Sequence, residues 1–124
     1  MAPILSATLS GDTFTLKFDS GTPAFEVIPQ SSAHLPLQSG KGGSIDLAGS
    51  AGVTIVLRGF RGDMRNYAGP VSMTSRGPLA LQVYETGDYE GVVGWGAGVS
   101  GSACAHVTAS GSTLTFRFIR TSST

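Results

Sequence analysis

The sequence predicts an all-β protein, an antiparallel β-sandwich or open barrel of two sheets with about seven to nine short strands, on three observations. Apolar and polar residues alternate over short windows: in residues 13–18, Phe14, Leu16 and Phe18 are separated by Thr15 and Lys17. β-branched and aromatic residues fill the apolar runs, and no window sustains the spacing of an amphipathic helix. Gly, Ser and Pro separate the runs, as turns do.

The individual strands follow from the same alternation. Residues 13–18 and 24–29 are expected to pair as a hairpin across an Asp-Ser-Gly-Thr-Pro turn. Residues 30–43 are rich in Ser, Gly and Pro, which indicates a long surface connection. Further strands are expected at 44–47, 53–58, 79–83 and 91–95, the last weakened by its glycines.

The end of the chain repeats its beginning. Residues 8–18 align without a gap with residues 108–118, and each segment holds a Ser-Gly turn between two alternating stretches. One explanation is internal pseudo-symmetry, with one hairpin in each half of the domain. The other is convergence, because hairpins draw on few residue types. Both remain open at this stage.

The bulk composition indicates one domain covering residues 1–124, with a polar but weakly charged surface. Eight Lys and Arg balance eight Asp and Glu, and charged residues are only 13% of the chain. This neutrality argues against general binding to nucleic acid or to anionic membranes, which needs a basic face. No apolar run approaches the roughly 20 residues of a membrane span, and residues 1–5 lack the pattern of a signal peptide. The expectation is a cytosolic protein or a mature or trimmed form of an exported one.

Several motifs are present but are not expected to carry chemistry. Residues 96–101 match G-x-G-x-x-G, yet a strand rather than a helix is predicted after them, so a dinucleotide site is not expected. Residues 61–63 spell Arg-Gly-Asp, which is interpreted as a charged turn. His34 and His106 have no further ligands at metal-binding spacing, so no metal and no cofactor are predicted. The single cysteine, Cys104, excludes an intrachain disulfide and is expected to be a buried thiol.

Residues 84–99 are the densest in functional side chains, with the only Trp, three of the eight carboxylates and five of the eighteen glycines. Asp88 and Glu90 flank Tyr89, so in an extended segment both carboxylates face the same way, about 7 Å apart. That spacing suits an acid and base pair of the glycosidase kind. The favoured alternative is a solvated face, with both acids bonding to the arginines of the neighbouring loop, Arg58, Arg61 or Arg65.

Aromatic residues accompany these acids. Trp95, Tyr84, Tyr89 and Tyr67 are candidates for a flat platform that stacks on sugar rings or peptide. For Trp95, which lies among glycines, a place in the core is an equal alternative.

The chain resembles the AMIN-like domain of actinobacterial secreted proteins and lipoproteins. The likeness extends over about residues 8–120, and its most specific part is the Gly-Asp-Tyr-Glu-Gly block at residues 87–91 with the following Trp95 and glycines. The remaining matches are residues 14–18, 21–27, 46–51 and 67–70. One departure is the last strand, residues 113–118, which lacks the Asp that commonly closes the family pattern.

The resemblance implies a two-sheet sandwich and a relation to AMIN domains, which hold amidases and secretion proteins at the cell envelope. It implies no catalytic residue. The resulting hypothesis is a non-enzymatic binding or localisation module, extracytoplasmic, that recognises peptidoglycan glycan or peptide, or an envelope protein. The expected contact residues are Asp88, Tyr89, Glu90, Trp95, Arg58, Arg61, Arg65 and Tyr67.

Two rival hypotheses belong to other classes. The first is a small β-barrel enzyme or small-molecule carrier with an internal pocket, in which Asp88 and Glu90 act as acid and base. The second is an edge-strand assembly protein, since weakly charged sandwiches have edges that can pair.

Overall fold

The computed structural model describes residues 4–19, 21–38, 41–59, 69–75, 77–89 and 91–120, without the side chains of residues 88 and 89. These residues form eleven strands and no helix: β1 (Ile4–Ser10), β2 (Thr13–Phe18), β3 (Ala24–Gln30), β4 (His34–Pro36), β5 (Ser44–Asp46), β6 (Ala51–Arg58), β7 (Ser72–Thr74), β8 (Ala80–Tyr89), β9 (Val92–Val99), β10 (Ala103–Ser110) and β11 (Thr113–Arg120).

All of these strands pair antiparallel and belong to three sheets, which do not close into a barrel. A four-stranded sheet has the order β1-β2-β11-β10, a five-stranded sheet the order β3-β6-β9-β8-β7, and β4 pairs with β5 alone. The all-β prediction is confirmed. The predicted count of seven to nine is too low, partly because β4 and β7 have only three residues each and β4 lies in the stretch interpreted as a connection. No helix in the described part of the chain is long and apolar enough to cross a membrane.

The four-stranded sheet consists of the two hairpins that the repeat predicted. β1 pairs with β2, β10 pairs with β11, and the hairpins join where β2 lies beside β11. Gly11 and Gly111 open the two-residue turns with φ of 57° and 60°, which glycine adopts without a steric penalty.

An approximate two-fold axis relates the two hairpins. It passes between Thr15 and Thr115, which are direct partners in the β2–β11 pair. The amide of Phe18 donates to the Ser112 carbonyl at 2.8 Å, and the amide of Phe118 donates to the Asp12 carbonyl at the same distance. The five-stranded sheet has no matching arrangement in its order β3-β6-β9-β8-β7, so the symmetry belongs to one sheet and not to two halves of the domain.

The predicted hairpin of residues 13–18 with residues 24–29 is wrong. β2 lies in the four-stranded sheet, whereas β3 pairs with β6 in the other sheet. Both edges of β2 are already occupied, by β1 and β11, so the Asp-Ser-Gly-Thr-Pro turn carries the chain from one sheet to the other. The partner of β2 was decided by residues distant in the sequence.

The core lies between the two large sheets and is filled by alternating side chains from both. Phe14, Leu16, Leu114 and Phe116 of the four-stranded sheet are completely buried. On the other sheet β6 is buried on both faces, since every residue from Ala51 to Leu57 is buried. Such packing gives the sandwich a dry interior in which each aliphatic side chain contributes about 1.5–3 kcal/mol of stability through removal from water.

Candidate functional site

Three of the predicted contact residues, Arg58, Asp88 and Tyr89, have a described backbone at one end of the five-stranded sheet, whereas Trp95 lies further along β9. β6 ends at Arg58, β9 begins at Val92 and β8 ends at Tyr89. Arg58 is the direct partner of Val92, and Val92 is the partner of Tyr89, so the three residues form one row across the sheet. At the usual spacing between strands, the Cα atoms of Arg58 and Tyr89 are about 10 Å apart. The β8–β9 turn contains Gly91 at a φ of 80° and lies directly beyond this row.

Arg58 supplies an exposed cation at this sheet end. Its Nη2 lies 3.7 Å from Oε1 of Glu26 on the neighbouring strand β3, and both side chains are more than half exposed. The described partner of Arg58 is Glu26. The predicted pairing of Asp88 and Glu90 with the arginines stays a prediction, because both carboxylates lie outside the described side chains. An exposed pair of this kind contributes at most about 1 kcal/mol, so the guanidinium can exchange its partner for a ligand at low cost.

The other predicted contacts lie outside the described residues. They are Arg61, Arg65, Tyr67, Glu90, the side chains of Asp88 and Tyr89, and with them the Arg-Gly-Asp tripeptide. Along the chain, residues 60–68 directly follow Gly59, the neighbour of Arg58, and lead to Gly69. Connectivity therefore attaches both ends of this predicted binding loop to the described structure, one of them at the Arg58 row.

Trp95 is not part of this end surface. Its side chain is 0% exposed, and its ring lies 5.0 Å from the ring of Phe14 in the opposite sheet, centroid to centroid. A ring enclosed between the sheets cannot stack on an external sugar, so the predicted contact role of Trp95 is wrong and the alternative, a core tryptophan, is correct. The side chain of Tyr84 is partly buried, because it packs against a second small core formed by Ala33, Leu35 and Leu47.

The glycines around Trp95 make room for this second core. Gly94, Gly96 and Gly98 lie on the outer face of β9, where they face Gln38, Leu35 and Leu47–Ala48 respectively. A Cβ at Gly96 would lie 2.7 Å from Cδ1 of Leu35, and one at Gly98 would collide with the Ala48 carbonyl. The glycine pattern of β9 therefore allows close approach of a neighbouring segment, and it does not display Trp95 to solvent.

Sequence reasoning missed Glu85. Its register partner on β9 is Trp95, and its Oε2 is buried. A register shift between Glu85 and Gly87 adds one residue to β8 at this point, and Thr86 lies against Gly94. The signal was available: Glu85 comes two residues after Val83, which is fully buried, so strand alternation places it on the core side.

An ionisable pair that was also not predicted from the sequence joins the two short strands β4 and β5. Nδ1 of His34 lies 2.5 Å from Oδ1 of Asp46, and the His34 amide donates to Oγ of Ser32 at 3.3 Å. Both ionisable side chains are well exposed, at 60% and 81%. Their pairing was invisible in the sequence because β4 was not predicted. Within the described residues, no group of three His, Cys, Asp or Glu side chains is arranged to hold a metal ion.

The thiol of Cys104 is half-buried rather than buried. It lies on β10 with Sγ 4.0 Å from the Ala105 carbonyl. His106, on the same strand, is exposed.

Comparisons with known proteins do not assign this fold to a family. No family model, no curated protein and no solved structure matches the chain. The resemblance to AMIN-like domains therefore stays a prediction from residues 87–99 and the accompanying segments.

Proposed function

We propose that this chain is a non-enzymatic binding or localisation module of the bacterial cell envelope, and that its ligand is peptidoglycan. The proposed surface is the Arg58 end of the five-stranded sheet, with Arg58 and the β8–β9 connection. The contact residues predicted from the sequence between positions 60 and 68, which follow Arg58 along the chain, are proposed to contribute to it. Its location would be extracytoplasmic, following the resemblance to AMIN-like domains.

The observation that supports this proposal is the shared row of Arg58, Val92 and Tyr89. Arg58 and Val92, 34 positions apart in sequence, are brought to one sheet end together with Tyr89, which belongs to the specific 87–91 block. A strand end on a filled sandwich is a rigid support for loops that bind ligands. The exposed Arg58 guanidinium suits the carboxylates of peptidoglycan stem peptides, because a guanidinium can donate two parallel hydrogen bonds to one carboxylate.

The test is co-sedimentation with purified sacculi, in parallel with sacculi stripped of covalently attached protein. We expect retention on both preparations and at least about a fivefold reduction for Arg58→Ala, which corresponds to about 1 kcal/mol. Arg117→Ala is the matched control, because Arg117 is an exposed arginine on β11, in the opposite sheet, and its removal makes the same change in charge.

The outcomes separate the possible ligands. Retention only on sacculi that keep their protein would replace peptidoglycan by an envelope protein. Absence of retention on both preparations, above the level of an unrelated protein of similar size, would overturn the proposal. An equal loss for both arginine variants would show that charge alone, and not this surface, causes retention.

A further inference from the structure

β10 (Ala103–Ser110) is an edge strand without the features that usually prevent edge pairing. It has β11 on one side and is the last strand of its sheet in the described structure. Its eight residues pair with β11 in continuous register, without a bulge. They include no Pro, Lys, Arg, Asp or Glu. Native edges normally carry a charge, a proline, a bulge or a very short strand to block association.

The other edge strands each carry such a feature. β1 has a register irregularity between Ile4 and Ser6. β3 contains Pro29 and the charged Glu26. β4, β5 and β7 have three residues each. Among the described strands, β10 is therefore the edge at which an added strand meets least resistance.

The hydrogen-bonding pattern identifies the groups that face outward. The Phe118 amide points from β11 toward the β1–β2 hairpin, where it donates to the Asp12 carbonyl. The backbone N–H and C=O groups of successive residues in a strand point to opposite sides. Those of Thr115 and Arg117 therefore point the other way, toward their partners Thr108 and His106 on β10. The backbone groups of Ala105, Val107 and Ala109 therefore point away from β11, along the open edge.

We infer that β10 pairs with β10 of a second copy, antiparallel and centred on Val107, to give a two-fold dimer with a continuous eight-stranded sheet. In this register Val107 faces Val107 of the partner subunit, and Ala105 faces Ala109 of the partner subunit. The side chains at the join are small, and no like charges meet, so the self-pair has no repulsive contact.

A second copy is the favoured occupant because the described part of each molecule offers one such edge. The equivalent strand under the local two-fold axis is β1, whose irregular end does not match β10. Head-to-tail growth would need two compatible edges, whereas one self-complementary edge closes at two subunits. This inference does not depend on the proposed ligand.

Site-specific crosslinking tests the pairing in the full chain. In a Cys104→Ser background, Val107→Cys places two thiols at directly opposed positions, with Cα atoms about 5.5 Å apart, within the range of a disulfide. Thr108→Cys is the matched control, because its two Cα atoms would be about 8 Å apart. We expect a covalent dimer for Val107→Cys on mild oxidation and little for Thr108→Cys. Equal crosslinking of both variants would overturn the register.

Sedimentation equilibrium of the unaltered chain tests the association itself. We expect the mass to rise from one to two chains, and no further, between about 10 μM and about 1 mM protein. Ala109→Pro removes an outward amide while leaving the bonds to β11, so dimerisation should weaken at least about tenfold. Trp95 fluorescence verifies the fold.

If Ala109→Pro fails to fold, Ala109→Lys replaces it, with Thr8→Lys on the β1 edge as control. A single-chain mass over the whole range, or growth beyond two chains, would overturn the dimer.

Discussion

At the residue scale, Asp12 shows how one side chain in a turn connects the two large sheets. Its Oδ1 accepts the amides of Leu79 at 3.0 Å and Ala80 at 2.8 Å, at the start of β8. Ser112, the equivalent residue in the second hairpin, accepts the amide of Gly21 through Oγ at 2.9 Å. The turn of each hairpin therefore accepts hydrogen bonds from backbone amides outside that hairpin, those of Leu79 and Ala80 at Asp12 and that of Gly21 at Ser112.

Replacing Asp12 by Ala should destabilise the protein by about 2 kcal/mol, because two partly buried amides lose a charged acceptor. The measurement is urea denaturation followed by Trp95 fluorescence. Asp19→Ala is the control, since Asp19 is an exposed carboxylate at the end of β2. Similar midpoints for the two variants would show that the Asp12 bonds contribute nothing to stability.

The outer glycines of β9 are expected to differ in their tolerance of Ala. At Gly98 an added Cβ meets the backbone carbonyl of Ala48, whereas at Gly96 it meets the end of the Leu35 side chain. A side chain can move and a packed backbone cannot, so Gly98→Ala should cost about 3 kcal/mol and Gly96→Ala about 1 kcal/mol. Denaturation midpoints measured side by side test this order, and a larger loss for Gly96→Ala would contradict it.

At the scale of elements, the small β4–β5 sheet acts as a cover for the larger sheet. The side chains of Leu35 and Leu47 are buried in the second small core. The Leu47 amide donates to the Ala33 carbonyl at 2.9 Å, and the Gln38 amide donates to the Thr86 carbonyl at 3.0 Å. Among the described residues, three buried side chains form this cluster, against twenty in the main core. A cover with so few contacts is expected to open before the sandwich unfolds.

Leu35→Ala should therefore loosen this cover locally. Hydrogen exchange is expected to accelerate at the Gln38 and Leu47 amides by at least about tenfold, while amides of β11 change little. Ile119→Ala, at a side chain 42% exposed, is the control and should leave all of these rates unchanged. Uniform acceleration throughout the protein would mean that the cover and the sandwich unfold as one unit.

At the scale of the whole molecule, neutrality governs solution behaviour. The formal net charge is zero at pH 7, with a sequence pI of about 6.7. Repulsion between molecules is weakest at this pH, and an open β10 edge makes association easier.

Solubility is expected to pass through a minimum near pH 6.7. Adding carboxylates at exposed positions, as in Thr8→Glu with Ser44→Glu, should move the minimum to lower pH because more protons are needed to reach neutrality. Precipitation by polyethylene glycol across a pH series measures this. Thr8→Gln with Ser44→Gln is the uncharged control. A solubility minimum at the same pH in the Glu variant and the Gln control would contradict the explanation by net charge.

Much of the fold could be predicted because β structure has a local signature. Alternation of period two located the main strands and the buried positions Phe14, Leu16 and Phe116, and the repeat of residues 8–18 at 108–118 located both outer hairpins. Of the proposed site, the sequence indicated Arg58 and Tyr89 as contact residues, whereas their shared row follows only from the register of β6, β9 and β8.

The all-β class, the two repeated hairpins and the inward residues of β2 and β11 follow from the sequence, because they depend on neighbours along the chain. Tertiary structure alone decided that β2 pairs with β11 instead of β3, that Trp95 is enclosed and that its glycines receive the β4–β5 cover. The reason is that pairing and close approach depend on residues up to about a hundred positions away, whose competition for the same edge or face leaves no local pattern.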